Sequence, residues 1–332
     1  MRQETTNEHI SENKNAAEVR EVAADLRGRL TQEEFTNLMK PVDFESCASF
    51  AFDWTAIMAS VFAVNQFGTW LAPAALIVIG SRQRALSNLV HDASHGNLFR
   101  NRKVNDMVSN IFGAYPMFDS VEAYRKSHMD HHRYLGSLEL DPDSKSHLRY
   151  GFNDQAPRRE SAWRIYKDLF LNISAWRDSV IGGVFSLDTI TQLKAALSIT
   201  AALGLIAWLA GPAFATALVI LWVLSRMTTY HAIRLFAEFL DHAGLEQGTV
   251  LSFTRNLPHR GLFAACFHPH EDTYHLIHHL LPKVPHYKLA EAHSVLVGND
   301  RYVQAHHCDA YFKGTHSALS CLEGSCQRGA AQ

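Results

Sequence analysis

Two long apolar stretches stand out in a chain whose other segments are polar and charged. No charged side chain occurs in residues 54–79 or in residues 195–225. Each stretch exceeds the roughly 20 residues that an α-helix needs to cross a bilayer once. Polar, Gly and Pro residues interrupt the two stretches near their middles, at 65–69 and at 210–212, and such residues end helices. The pattern predicts two helical hairpins, formed by 48–64 with 69–87 and by 193–209 with 213–234.

Two crossings per hairpin would place the N-terminus, the 88–192 segment and the C-terminal region on one side of the membrane. Basic residues are frequent in 88–192 and absent from both hairpin turns. Because cytoplasmic loops carry an excess of Lys and Arg, this side is predicted to be the cytoplasm. We therefore expect an all-α, multi-pass integral membrane protein with four transmembrane helices, both termini in the cytoplasm, and a helical cytosolic cap.

Composition divides the chain into three parts. Residues 1–45 are predicted to be a cytosolic N-terminal segment, because they lack the apolar core of a signal peptide, with a helix over about 16–40. Residues 46–305 form the membrane domain, and the small, polar residues 306–332 are expected to be a disordered tail. Within the membrane domain, 165–187 mixes apolar and charged residues. This pattern fits a helix in the membrane interface and equally a helix packed on the cytosolic cap.

Histidine is frequent, with 20 in 332 residues, and three clusters have helical spacing. The sequences HDASH, HMDHH and HLIHH contain His91, His95, His128, His131, His132, His275, His278 and His279. Residues three and four apart share a helix face, so each cluster would direct its imidazoles toward one point. Chance explains single pairs at this spacing, but not three clusters. Neutral imidazole is a common metal ligand, eight exceed the needs of one tetrahedral zinc ion, and nitrogen ligands with open positions suit two iron ions.

Three longer segments carry a family resemblance. HDASHGNLF, SHMDHHRYLGSLELDPD and YHLIHHLLPKVPHYKLAEAH, in this order with membrane hairpins between them, resemble the membrane fatty acid desaturase/hydroxylase superfamily over about residues 45–297. The resemblance implies a non-haem di-iron centre, four membrane helices and the oxidation of an unactivated C–H bond with O2 as cosubstrate. It also implies a further histidine ligand near the end of the last membrane helix, and the sequence AEFLDHAGLE offers His242.

Five carboxylates near these histidines are candidates for hydrogen bonds that orient the ligating rings. They are Glu238, Glu271, Asp92, Asp130 and Asp141. Glu238 and Glu271 lie four residues before His242 and His275, so either could also bind iron directly. Many members of the superfamily carry Asn where Glu271 stands, and a carboxylate ligand there would make the centre more electron-rich. The alternative role is solvation for the two glutamates and helix capping or solvation for the three aspartates.

The predicted function is the O2-dependent desaturation of a fatty acyl chain by two iron ions at a lipid bilayer. The alternative is a hydroxylase or ketolase that acts on an alkyl, isoprenoid or specialised-metabolite substrate with the same centre. A zinc-binding membrane hydrolase or a metal carrier is a third interpretation, although a carrier needs polar ligands inside its spans.

The electron source is expected to be a separate protein. The sequence contains neither a haem-binding HPGG segment nor a ferredoxin-like run of Cys. A ferredoxin, a rubredoxin or a b-type cytochrome with its reductase is therefore the expected partner. The formal net charge is −2 and no nucleic-acid-binding motif occurs, which argues against a nucleic acid as partner.

Overall fold

The chain is almost entirely helical. Its structure is a computed structural model that describes residues 2–153 and 161–323. In these two ranges the regular strands are Arg255–Asn256 (β1) and His306–His307 (β2), which pair in parallel. The predicted all-α class is confirmed.

Two helices precede the first apolar stretch. They are α1 (Arg2–Arg29) and α2 (Gln32–Met39). The sequence predicts one helix here, and the structure divides it because Thr31 starts a new one. The Thr31 hydroxyl accepts from the Glu34 N–H at 3.2 Å, and the Glu34 carboxylate accepts from the Thr31 N–H at 2.8 Å. This reciprocal cap satisfies N–H groups that a helix start otherwise leaves without partners.

The first apolar stretch folds into a helical hairpin. Its parts are α3 (Asp43–Phe67), one 3-10 turn (Thr69–Leu71) and α4 (Ala72–His95). Gly68 ends α3 with a φ of +108°, a conformation that glycine adopts at little cost. Pro73 stands in the first turn of α4, where its missing N–H costs nothing. Ile57 and Val61 of α3 are buried in one cluster with Ile79 of α4.

The segment between the hairpins forms short helices. Together with α1, α2 and the helices that follow the second hairpin, they form the part of the protein called the cap below. The short helices are α5 (Arg102–Ser109), α6 (Val121–Arg133), α7 (Pro142–Arg149), α8 (Ala162–Phe170) and α9 (Ile173–Ile181), with a π-helical turn at Asn110–Ala114. One face of α8 and α9 is buried, including Ile165 and Ala175. On the other face Leu171 is 69% exposed and Ile173 is 73% exposed. The segment thus packs on the cap and also keeps an apolar face that suits the membrane interface.

The second apolar stretch forms the second hairpin. It comprises α10 (Thr189–Ala210), α11 (Pro212–Ser225), a π-helical turn (Arg226–Tyr230) and α12 (His231–His242). Gly211 connects α10 to α11 with a φ of +91°. The π-helical turn does not interrupt the helix. Helices α11 and α12 therefore form one continuous helical segment, Pro212–His242.

Three helical segments among the described residues are long and apolar enough to cross a membrane. They are Gln32–Phe67, Thr189–Ala210 and Pro212–His242. The sequence predicts four crossings, and the remaining helix, α4, falls outside this set because Arg82, Arg84 and further polar residues occupy its second half. Outward side chains of α10 are largely uncovered, with Trp208 79% exposed and Leu197 72% exposed. Exposed apolar surface of this extent marks contact with a membrane or a partner.

The rest of the chain builds the cap around a short central helix. The elements are α13 (Val250–Phe253), α14 (Leu262–Phe267), α15 (His275–Leu280), α16 (Leu289–Leu296), α17 (Asp300–Val303) and α18 (Ala318–Leu322). Leu276 and Leu280 of α15 are buried in the same cluster as Val22 and Leu26 of α1. The Glu18 carboxylate of α1 accepts from the Leu251 N–H at 2.9 Å. The N-terminal helix therefore covers α15.

The C-terminal segment is folded as far as the structure describes it. The sequence predicts disorder from residue 306, whereas β2 begins there and the Cys308 N–H donates to the Asn256 carbonyl at 2.9 Å. Ala318 is fully buried and Leu322 is 3% exposed. Tertiary contacts therefore order a segment whose small, polar composition does not by itself favour a helix or a strand. Residues 324–332 lie outside the described part of the chain.

Truncation of Leu26 tests the role of α1 as a cover. This side chain is fully buried against α15, and we expect Leu26→Ala to lower the free energy of unfolding by about 2–5 kcal/mol. Denaturant unfolding of the detergent-solubilised protein measures the change. Arg20→Ala, at an exposed position of the same helix, is the control. Equal midpoints for the two variants would contradict this packing.

Candidate metal centre

Four helix ends bring the predicted ligands together. His91 and His95 occupy the last turns of α4, and Gly96, with a φ of +76°, ends that helix directly behind them. The HMDHH cluster lies in the last turns of α6, His242 is the last residue of α12, and the HLIHH cluster fills most of α15. All nine rings are buried or half-buried. The helices thus end where their imidazoles face a shared space.

Five histidines form a first group. The ligand atoms of His91, His95, His128, His132 and His278 all lie within 4.8 Å of one another. Nε2 of His128 is 3.0 Å from Nε2 of His95, 2.9 Å from Nε2 of His132 and 3.3 Å from Nε2 of His278. The group draws on all three sequence clusters.

Four histidines form a second group. They are His131, His242, His275 and His279. Nε2 of His275 lies 3.0 Å from Nε2 of His242 and 3.1 Å from Nε2 of His279. The two groups adjoin, because the ring centroids of His132 and His279 are 4.3 Å apart. The arrangement offers two neighbouring positions, each surrounded by nitrogen atoms.

Outer hydrogen bonds fix the rings in this orientation. Nδ1 of His131 lies 2.9 Å from a carboxylate oxygen of Asp141 and 3.4 Å from one of Asp143. Nδ1 of His242 donates to the Phe253 carbonyl at 2.8 Å. The bond at His242 holds the proton on Nδ1 and leaves the Nε2 lone pair directed inward, and the carboxylates at His131 fix the orientation of its ring.

Burial favours the neutral form of His278 and His132, whereas His131 is an exception. Burial lowers the pKa of His278 to about 4, and burial together with neighbouring imidazoles holds the pKa of His132 well below its usual range. At His131 burial also lowers the pKa, but the Asp141 and Asp143 carboxylates outweigh it and raise the pKa to about 9. Neutral, inward-facing imidazoles suit a first-row transition metal rather than Ca²⁺ or Mg²⁺, which prefer oxygen ligands.

The comparisons with known proteins agree with this geometry. A family model for fatty acid desaturases matches residues 68–310, a range that contains both histidine groups. Dihydrorhizobitoxine desaturase from Bradyrhizobium elkanii is 30% identical over 278 residues, which are 80% of this chain and 79% of that protein. The chain belongs to the fatty acid desaturase family. It is therefore an oxidoreductase of the desaturase type.

Further relatives of this desaturase match shorter regions. A human sphingolipid delta(4)-desaturase/C4-monooxygenase is 29% identical over 140 residues, 41% of this chain and 43% of that protein. A beta-carotene 4-ketolase from Haematococcus lacustris is 39% identical over 72 residues, 21% of this chain and 22% of that protein. The similarity thus extends to relatives whose names denote different oxidations.

Asp141 is the candidate carboxylate that hydrogen-bonds a ring of the two groups. Asp92 lies 3.9 Å from His91 and accepts instead from the N–H and Nδ1 of His286, at 2.8 and 3.0 Å. Glu238 accepts from Nε of Arg234 at 2.8 Å. Asp92 and Glu238 therefore act on neighbours of the histidine groups.

The remaining candidates also lie outside both groups. Asp130 is half-buried on α6. Glu271 has a φ of +58° and follows His270 with a φ of +59°, a pair of left-handed residues that stores backbone strain. The histidines that we do not expect to be ligands, His268, His270, His286, His293, His306 and His307, belong to neither group.

Sequence reasoning missed an ion-pair network beneath the histidines of this desaturase. Nη2 of Arg84 lies 2.8 Å from the Asp272 carboxylate, and Nη1 of Arg84 lies 3.7 Å from Glu238. Glu238 in turn pairs with Arg234. The available signal was a charged residue in a helix next to the membrane, which marks a functional position. The network ties α4 to α12 and to the segment before α15.

A cavity of about 300 Å³ adjoins the histidine groups. Its wall includes His91, His128, His131, His242 and His275. A concave site with converging polar groups is where a ligand is expected to bind. The cavity is therefore the candidate substrate site.

Replacement of Asp141 tests its effect on the metal site. Asp141→Asn keeps the volume and an oxygen that can accept from the Asp143 N–H, but it removes the negative charge beside His131. We expect the affinity for Fe²⁺ to fall by about 10–100-fold, measured by anaerobic titration of the metal-stripped protein. Asp168→Asn changes an exposed carboxylate and is the matched control. An unchanged affinity would show that the carboxylate does not support the ligand.

Proposed function

We propose that this desaturase binds two iron ions, one in each histidine group. The convergence of nine imidazoles in two adjoining groups supports this. A structural zinc site uses four ligands, so nine nitrogen donors exceed a single zinc ion. Imidazole ligands with open positions suit iron that reacts with oxygen.

The proposed reaction is the desaturation of an acyl chain. Two adjacent carbons each lose a hydrogen, and O2 is reduced to two water molecules with two electrons and two protons from an external donor. When bound, the iron pair supplies the oxidising power that amino-acid side chains lack. The protein positions the chain and excludes water. Tyr124, whose ring stacks on His128 with centroids 5.4 Å apart, borders the cavity.

The proposed setting is the cytoplasmic face of a membrane. The three apolar helices support a multi-pass protein, and α4, packed on α3, would supply the fourth crossing. Both hairpin turns would then lie outside and both termini inside. A ferredoxin, a rubredoxin or a b-type cytochrome with its reductase would donate electrons from the cytoplasm.

Hydroxylation or keto-group formation is the second candidate. The relatives whose names denote a C4-monooxygenase and a 4-ketolase favour it. The placement of the substrate carbon decides which reaction follows. Mass spectrometry of the product distinguishes the candidates, because desaturation removes two hydrogen atoms and hydroxylation adds one oxygen atom.

Removal of one ligand from each group tests the iron proposal. We expect His131→Ala and His278→Ala to abolish turnover and to lower the bound iron, because each variant opens one group. Elemental analysis and product analysis after expression in membranes provide the measurements. His259→Ala, at an exposed position outside both groups, should keep iron and activity. Retained turnover in either ligand variant would refute that assignment, and stoichiometric zinc without iron would favour the hydrolase or carrier.

Cysteine labelling tests the topology. Thr69 lies in the first hairpin turn and Lys145 lies on α7, and both are exposed. In an active, otherwise cysteine-free background, we expect a membrane-impermeant maleimide to label Thr69→Cys in intact cells. Lys145→Cys should react only after permeabilisation. Labelling of both positions from outside would overturn the proposed topology.

A further inference from the structure

The cavity beside the histidines has a charged wall. At about 300 Å³ it lies at the lower end of the range for small-molecule sites, about 300–1,000 Å³. From the π-helical turn into α12, the residues Arg226, Tyr230, Arg234 and Glu238 recur every four positions and line the cavity up to His242. This spacing places the side chains on one helix face. A row of three charged side chains and one tyrosine therefore leads from the far end of the cavity to the second histidine group.

The inner part of the cavity holds polar atoms without partners. Nε of Arg84 and Oδ1 of Asp241 are buried and make no hydrogen bond in the part of the chain that is described. Arg84 is 8% exposed and Asp241 is 5% exposed, and both line the cavity. A hydrocarbon chain would leave these atoms unsatisfied, which is unfavourable. They indicate a ligand that forms hydrogen bonds.

The far end of the cavity presents opposite charges that are not paired with each other. The Arg226 guanidinium donates to the carbonyls of Val180 and Met117, at 2.7 and 2.8 Å, and to the Met117 sulfur at 3.3 Å, which engages three of its five N–H groups. It lies over the rings of Phe118 and Tyr230 and contacts no carboxylate within 4.0 Å among the described residues. The Asp119 carboxylate accepts from the Ser120 N–H at 2.7 Å. A guanidinium and a carboxylate thus remain available at the same end.

Two glycines keep the space beside these charges open. A Cβ atom at Gly182 would lie 3.0 Å from Nη2 of Arg226, and one at Gly183 would lie 3.2 Å from Oδ1 of Asp119. Any side chain at either position would crowd the charged groups. The glycine pair therefore forms a cradle in which a small ligand can reach both.

Apart from Asp241, whose Oδ1 has no partner, the other carboxylates of the wall are already engaged. Asp272 pairs with Arg84, Glu238 with Arg234, Asp178 with Arg149, and Asp143 faces His131. Asp119 and Arg226 differ from them in having no oppositely charged side chain in contact. A ligand with one positive and one negative group matches this pair.

We propose that the cavity binds a short chain that carries a zwitterionic head, with the carboxylate of the head at Arg226, its ammonium group at Asp119, and a hydrogen-bonding group of the chain facing Arg84 and Asp241. The chain then extends along the row from Arg226 to Glu238 toward the histidines. This inference rests on the proposed function and narrows its acyl substrate to a compact, charged one. Enclosing a long hydrocarbon chain against so many charged groups would cost their hydration without replacing it.

Binding of defined probes to the full-length protein tests this assignment. The probes are 2-aminooctanoate, octanoate, octylamine and octadecanoate, and calorimetry without reductant gives the Kd of each. We expect 2-aminooctanoate to bind at least about tenfold more tightly than the other three. Equal binding of the three eight-carbon probes, or tightest binding of octadecanoate, would overturn the proposal.

Two variants separate the contributions of the charges. Asp119→Asn should weaken 2-aminooctanoate to the level of octanoate, and Arg226→Gln should weaken both of these carboxylates but not octylamine. Asp168→Asn and Arg177→Gln, at exposed positions, are the matched controls. If Arg226→Gln fails to fold, Asp119→Asn alone decides, because an unchanged preference for 2-aminooctanoate in this variant rules out the ammonium site.

The binding assay is independent of turnover. A protein that binds 2-aminooctanoate as expected but never oxidises any substrate would contradict the proposed function alone. A protein that desaturates long acyl chains and does not prefer 2-aminooctanoate would contradict only the assignment of the cavity.

Discussion

The constraint on which the structure depends is the close approach of buried imidazole nitrogens. In the first histidine group, Nε2 atoms lie 2.9 to 3.3 Å apart in a space largely shielded from water. Each neutral imidazole carries one proton, so a cluster of inward-facing Nε2 atoms can satisfy only some of its members by hydrogen bonds, and buried polar atoms without partners are costly. A cation between them relieves this cost. The proposed irons would therefore contribute to the stability of the cap as well as to its chemistry.

The rest of the fold holds these rings where they are. Helices α4 and α12 extend from the apolar layer to the centre, and the ion pairs of Arg84 with Glu238 and of Glu238 with Arg234 join them below it. Helix α1 covers α15 from the other side. The membrane part and the cap consequently meet at the histidines, so packing changes in either part will alter the geometry of the centre.

The spacing of the histidines predicts that they converge, but it does not predict which histidine belongs to which of the two groups. In HxxHH the first and last residues differ by about 40° around a helix, whereas the middle histidine points about 60° to the other side. On α6 this sends His128 and His132 to the first group and His131 to the second. On α15 the division is reversed, with His275 and His279 in the second group. Which way each helix is turned depends on tertiary packing, which no local pattern encodes.

Other features lie equally beyond local patterns. Hydropathy predicts both hairpins because each depends on the composition of one continuous stretch of the chain. The all-α fold class follows from the same stretches. The pairing of Asp92 with His286 joins residues that are 194 positions apart, and the folded 306–323 segment depends on a strand supplied by residues 255–256. Such contacts arise only once the whole cap has formed, so the sequence alone indicates candidate carboxylates without their partners.

The division of the groups also sets an order for biosynthesis. His278 follows His128 by 150 residues, and the first group lacks this donor until α15 has left the ribosome. The second group then has only His131 and His242 of its four histidines. Neither proposed site can be completed on a nascent chain that has inserted its hairpins but not yet made α15. In the proposed centre, loading of both iron ions would therefore have to wait for α15, and a polypeptide without α15 would not carry a complete centre.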